Sequence, residues 1–352
     1  MAKLTINEIK KLLCLVEVAQ LHENICDLGL VKKVEASTDQ VRCNLAIPIS
    51  LRHLKENLRE SCQAVLRNKS GIRPAEIHIA YETRKPKAKN QLTEKMLANL
   101  KDVKNLIAVA SGKGGVGKST SAANIAVALG QSGYKTGLMD TDVHRPSLNH
   151  LFNIVEGPEL AEDDIIHPIV IDGIRLFSMA MLGEGLAGHD WRKPLAPRLA
   201  RNLLYKVCWG KLDYLFIDLP AGQGAVQSAI MQAAPLTGVI MVTAPHRISL
   251  WESEKCLRKF MQVSIPVLGV IENMSYFNCG ECGRRQYPFG KGGGERLSES
   301  LKVPFYGQIP LDAETAGCGE EGMPVVIKNP KSEISEIFMG MSRKLEHQLK
   351  IK

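Results

Sequence analysis

The sequence predicts an α/β protein: a mostly parallel sheet covered by helices on both faces, preceded by a small α+β unit. Three observations carry this. From residue 104 onward, short apolar runs alternate with helical stretches, the pattern of strand–helix–strand units. A glycine-rich loop, 112–119, lies between one apolar run and one helical stretch. Residues 1–83 carry a different pattern and are followed by a basic, proline-broken segment at 84–90.

In the first part, Ile6, Ile9, Leu12, Leu13 and Val16 recur at helical spacing within 5–20. Strands over 31–36 and 41–47, a helix over 49–68 and a strand over 76–81 follow, enough for an independent small domain. The expected division is a domain at 1–83, a linker at 84–103 and a second domain at 104–352. In the second domain the expected strands are 106–110, 135–140, 174–180, 213–218, 237–243 and 266–271. The expected helices are 118–131, 195–208, 224–234 and 248–262. Ligands of such sheets bind at the carboxyl ends of the strands.

Composition narrows the setting. The 352 residues are 45% hydrophobic and 23% charged, ordinary for a globular protein with a sizeable core. The net charge of +8 is modest and spread along the chain, so no nucleic-acid partner is expected. No secretory pattern opens the chain, and no run of about 18 apolar residues occurs, so neither a membrane span nor stable membrane association is expected. A reduced, cytoplasmic setting follows, in which a close cysteine pair binds metal or does redox work. Cys14, Cys26, Cys43 and Cys62 lack ligand spacing and are expected to be buried, inert thiols.

The loop Gly112-Lys113-Gly114-Gly115-Val116-Gly117-Lys118-Ser119 has the Gly-x4-Gly-Lys-Ser spacing of a phosphate-binding P-loop, continued by Thr120 into the helix. Its glycines let backbone N–H groups face phosphate oxygens, and the helix N-terminus adds partial positive charge. Lys118 is expected on the outer phosphates of ATP, and the Ser119 hydroxyl on Mg²⁺. The apolar run 214–217 ends in Asp218, a Walker B arrangement in which the carboxylate stands behind Mg²⁺. The 220–224 loop after it carries two glycines that permit rearrangement. Asp140 and Asp142 close another strand, where an acidic pair supports Mg²⁺ or orients an attacking water; Asp140 is assigned to the metal and Asp142 to the water.

Cys279-Gly280-Glu281-Cys282 can put two thiolates on one metal or cluster edge, but a tetrahedral thiolate site needs four. No second close pair exists in this chain, so a second copy supplies the economical completion. Four thiolates suit Zn²⁺ or a [4Fe–4S] cluster equally; a redox disulfide and a structural knuckle are the other readings.

Lys-Gly-Gly-Val-Gly-Lys-Ser, with its additional Lys113, resembles the deviant P-loop of the MinD/ParA/nitrogenase-iron-protein class. The resemblance implies that Lys113 reaches across a homodimer to the partner's nucleotide. It also implies that Asn273 hydrogen-bonds the adenine edge and that the segment at Pro310 presses against the base. More widely, 103–120, Asp140-Thr141-Asp142, Asp190-Trp191-Arg192-Lys193-Pro194, 213–220 and Val270-Ile271-Glu272-Asn273-Met274-Ser275-Tyr276-Phe277 resemble the Mrp/ApbC family. Leu28-Gly29-Leu30-Val31 resembles the core of the small PaaD-like domain. Together these imply a P-loop NTPase fold behind a PaaD-like domain, and an ATP-hydrolysing carrier. Such a carrier binds a [4Fe–4S] cluster through Cys279 and Cys282 at the dimer interface and delivers it to apo iron–sulfur client proteins. The alternatives are a positioning ATPase on a membrane or DNA surface, and a zinc-bound scaffold with little ATPase activity. The chain departs from the family at Lys193, at Val143-His144-Arg145-Pro146, and at Ala225, where the family carries a carboxylate. The last departure implies intact ATP binding with slower or differently coupled hydrolysis. Finally, Ile334, Ile337, Phe338, Met341 and Leu345 form one stripe of a last helix, expected to pack on its own domain.

Overall fold

The computed structural model describes residues 5–18, 23–26, 30–36, 41–48, 55–70, 76–82, 99–142, 146–160, 165–182 and 195–350. The chain divides into two compact units, Met1–Thr93 and Glu94–Lys352. The expected linker lies outside the described residues as far as 98, and Leu100 is already buried in the second unit.

In the first unit, helix α1 (Ile6–Leu13) starts at a capping box: Thr5 Oγ1 accepts from Glu8 N while Glu8 accepts from Thr5 N. The helix stops short of the expected 20. Cys14 caps it, and Glu17–Val18 pairs antiparallel with Glu23–Asn24 instead. Strand β1 (Val31–Ala36) lies antiparallel to β2 (Val41–Pro48), which lies parallel to β3 (Glu76–Glu82). Helix α2 (Lys55–Ser70) completes the unit; its expected start at 49–54 lies outside the described residues. Ile9, Leu13, Leu45, Ile47, Leu58 and Leu66 fill the core.

The cysteines here need one correction. Cys43 and Cys62 are fully buried thiols, pushed by burial to about 11 and about 12. Cys14 and Cys26, however, are joined in a disulfide. Turns at both residues bring them together, a proximity their spacing does not signal.

The second unit is built on an eight-stranded sheet. Its strands are β4 (Val103–Ala110), β5 (Thr136–Asp140), β6 (Ile169–Ile171), β7 (Ile174–Ser178), β8 (Leu212–Asp218), β9 (Gly238–Thr243), β10 (Val267–Glu272) and, later in the chain, Phe305–Gln308. Their spatial order is β6-β7-β5-β8-β4-β9-β10 with Phe305–Gln308 last; only β6–β7 is antiparallel. Every residue of β5 and β9 is buried, as expected where helices cover both faces.

The longer helices are α3 (Lys118–Gln131), α4 (Leu195–Lys206), α5 (Ala225–Ala233), α6 (Arg247–Gln262), α7 (Gly293–Leu301), α8 (Ala313–Glu320) and α9 (Glu333–Lys350). A two-residue ladder, β11 (Phe277–Asn278) with β12 (Arg285–Gln286), follows β10, and Phe305–Gln308 is β13.

Helix α3 is buried almost all round, which its small residues Ala122, Ala123, Ala126 and Ala128 permit. The last helix accounts for much of that cover. Ile334, Phe338, Met341 and Leu345 of α9 are buried, each worth roughly 1.5–3 kcal/mol. Tyr306 Oη donates to Gln348 Oε1 at 2.6 Å, and Lys344 Nζ donates to Tyr306 O at 2.7 Å. The stripe is thus committed to the protein's own core. Among the described residues, no helix is long and apolar enough to cross a membrane.

Candidate nucleotide site and cysteine hairpin

The glycine loop leaves the end of β4 at the centre of the sheet and runs straight into α3. Gly117 caps α3 at φ +78°, the left-handed region that favours glycine, and a Cβ there would lie 2.1 Å from Asn273 Nδ2. A Cβ on Gly112 would meet the backbone of Glu252 and Ser253 at 2.2–2.3 Å. The loop therefore tolerates no side chain at either position. Apart from the turn at Gly114-Gly115, no backbone N–H from Lys113 to Thr120 donates to another described residue. These free donors at a helix N-terminus suit phosphate oxygens.

Strand register brings the acidic groups to the same place. Asp218 is the in-register neighbour of Asp140 on one side and of Val109 on the other. Asp218 is 2% exposed, Lys118 8% and Asp140 1%. Lys118 Nζ forms an ion pair with Asp218, and Ser119 Oγ donates to Asp218 Oδ2 at 2.5 Å. Thr141 ties the two strand ends together through N and Oγ1, both donating to Asp218 O. The donor set fits Mg²⁺: a hydroxyl and a carboxylate within contact and a second carboxylate beside them.

Asp140 accepts from Asp142 N at 2.9 Å and from Ser147 N at 2.8 Å. Burial, and then the charge of Asp218, push Asp140 up to about 7, against which those backbone donors act. An acid whose folded value lies above its unfolded one makes the native state the better proton binder between the two. Stability then falls as pH rises through that window. The Tm of the nucleotide-free protein is expected to fall between about pH 5 and pH 7.5. Asp140→Asn should flatten the slope; an equal slope in that variant would refute the assignment.

A cleft of about 520 Å³ opens beside the loop. Gly117 and Thr120 line one side, Asn273 and Met274 another, and Pro310, Leu311 and Phe338 give it apolar walls. Asn273 Nδ2 donates to Val116 O at 2.9 Å, and no described residue donates to its Oδ1. That leaves an acceptor for an exocyclic amine.

Lys113 is exposed and makes no ion pair or hydrogen bond with another described residue. Gly222 N donates to Ser111 O at 2.8 Å, holding the 220–224 loop against the glycine loop. Residues 143–145 and 190–194, which carry two of the sequence departures, lie outside the described residues. Ala225 opens α5, half-buried.

Cys279 and Cys282 stand at the turn between β11 and β12. Cys279 N donates to Arg284 O at 3.0 Å and Gly283 N to Cys279 O at 2.8 Å, with Gly283 at φ +68°. The backbone N–H of Cys282, then that of Glu281, donates to the Cys279 sulfur and holds its thiol below the usual value. A turn that stabilises thiolate in this way suits metal or cluster ligation. Cys282 is exposed, and no group of three or more metal-binding side chains gathers among the described residues.

Two features escaped the sequence reading. Asn273 braces the glycine loop as well as lining the cleft. Glu272, fully buried, accepts from Gly294 N at the start of α7 and from Gln308 Nε2 at 3.1 Å. The run Gly292-Gly293-Gly294 ahead of a helical stretch is the signal that could have suggested that start.

Fold and site together define a P-loop NTPase of the MinD/ParA architecture. The cell-division ATPase MinD of Pyrococcus furiosus has this fold at 24% identity, with a TM-score of 0.54 over 70% of this chain and 99% of that one. Residues 102–346 match the family described as ParA, NUBPL iron-transfer P-loop NTPase, and the chain belongs to that family. It is 33% identical over 347 residues to the iron–sulfur cluster carrier protein of Synechocystis, covering 97% of both chains. It is also similar to a nucleotide-binding protein from Archaeoglobus fulgidus solved with ADP. That likeness has 34% identity and a TM-score of 0.59, over 70% of this chain and 96% of that one.

Proposed function

We propose that this chain is an ATP-hydrolysing carrier that holds a [4Fe–4S] cluster between two copies of itself and passes it to apo client proteins. The observation that carries the reading is the pairing of a complete P-loop site with an exposed two-cysteine turn whose Cys279 favours thiolate. The carrier names of the full-length relatives support the cargo, and the ADP of the Archaeoglobus protein supports the nucleotide. The cysteines are the donor half of a site: two thiolates from each copy make the four that a cluster needs. Lys113, exposed and unpaired among the described residues, is free to reach the partner's nucleotide.

In hydrolysis, water attacks the γ-phosphorus as the bond to the β–γ bridging oxygen breaks, releasing ADP and phosphate. Lys118 turns from Asp218 to the outer phosphates, and the free loop N–H groups hold their oxygens in place. Ser119 and Asp218, with Asp140 behind them, would hold Mg²⁺, which supplies charge neutralisation at those oxygens. Asp142 orients the water. With Ala225 where a carboxylate would stand, we expect slow turnover.

The reading is tested by anaerobic reconstitution with iron and sulfide, followed by metal analysis, a visible absorption spectrum and light scattering. The expected product is a coloured dimer with about four iron and four sulfide per two chains. A colourless zinc-loaded protein that takes up no iron would sink the cargo reading while leaving the nucleotide site intact.

A further inference from the structure

The wall of the base cleft and the cysteine turn are parts of one segment. Asn273, which braces Val116 in the glycine loop, continues through Met274, Ser275 and Tyr276 into β11 and the turn. That segment is pinned along its length. Asn273 N donates to Thr243 O at 2.8 Å, Ser275 N to Ile309 O at 3.0 Å, and Leu311 N to Tyr276 O at 2.7 Å. Ile309 and Leu311 also line the cleft, alongside Asn273 and Met274. Ser275 and Tyr276 are 0% and 4% exposed, so the rail runs through packed interior that transmits displacement. Met274 sits at φ +56°, a conformation side chains rarely adopt and one that recurs at ligand clamps and switch regions. The return leg is tied to the same rail, for the Arg285 guanidinium stacks over the Tyr276 ring at 4.2 Å. The phosphate side leads elsewhere: Asp218 and the 220–224 loop run into α5.

We propose that Asn273 is a positioning residue that couples occupancy of the base cleft to the reactivity of Cys279 and Cys282 through the Met274–Tyr276 rail. The inference rests on the nucleotide reading above and adds a route, through the base, by which the nucleotide controls the cluster ligands. A base seated against Asn273 and Leu311 tightens both sides of the rail. It thereby holds the β11–β12 turn closed through Cys279 N to Arg284 O and Gly283 N to Cys279 O, and slows the local opening that gives a reagent its approach to the thiols.

The test needs no cluster. The full chain is pulsed with N-ethylmaleimide, with and without Mg²⁺ and a slowly hydrolysed ATP analogue, and modification is read at each cysteine by mass spectrometry. Nucleotide binding is measured in parallel by calorimetry. Alkylation of Cys279 and Cys282 is expected to slow about fivefold with the analogue, a modest coupling between sites. Inorganic tripolyphosphate, which offers phosphates without a base, is expected to leave both rates unchanged. Asn273→Ala, at saturating analogue, is expected to keep the rates of the free protein. Wild-type protein that binds the analogue with no change at either cysteine overturns the inference alone. So does equal slowing by tripolyphosphate, or full slowing in Asn273→Ala. Wild-type protein that binds no nucleotide overturns the nucleotide reading itself, and the inference falls with it.

Discussion

Phosphate release from ATP by Lys118→Ala is expected to fall by about 10²–10³-fold, the loss that follows removal of one preorganised group at a developing charge. The side chain does two jobs. In the nucleotide-free protein it neutralises Asp218, which is otherwise buried beside a second carboxylate. Breaking one side of a buried pair costs about 3–5 kcal/mol, so the variant should also melt earlier. Lys118→Ala combined with Asp218→Asn separates the two roles: the double variant should recover much of the lost stability and none of the turnover. Wild-type turnover in the single variant would reject Lys118 as the phosphate ligand, and with it the P-loop assignment.

The second large effect is expected at the turn. Cys279→Ser combined with Cys282→Ser should bring iron and sulfide after anaerobic reconstitution down to background. Neither cysteine is buried, and the turn is held by backbone hydrogen bonds that serine preserves. Stability should therefore change by no more than about 0.5 kcal/mol, and ATP binding should persist. Loss of cluster in a folded, nucleotide-binding protein would point to the thiolates themselves. Iron and sulfide retained at wild-type levels would move the cargo site elsewhere.

Much of the second unit could be read from the chain because its signals are local. The glycine spacing, the apolar run before it and the helix after it lie within a few turns of one another. The strands ending at Asp140, Asp218 and Glu272 were expected within two residues of where they end. What escaped was non-local or short. Lys118 and Asp218 could each be named, but their pairing depends on two parallel strands meeting in register a hundred residues apart. The brace from Asn273 to Val116 spans 157 positions. Strands β6 and β13, three and four residues long, are too brief to show a period. The Cys14–Cys26 bond depends on turns that bring two unremarkable positions together. In α1 the apolar spacing continues to Val16, but the chain turns at Cys14 and Val16 reaches the core from outside the helix.

The cover that α9 and the segment before it give to α3 has a consequence during synthesis. Asn124 Oδ1 receives the N–H of Val326, 202 positions later. On the ribosome, the helix that follows the glycine loop is made long before its roof. At ordinary elongation rates it waits roughly 10–40 s with an apolar flank bare to water. The nascent protein is then a ready client for chaperones, and the cleft for which Phe338 supplies part of the wall takes shape late in translation.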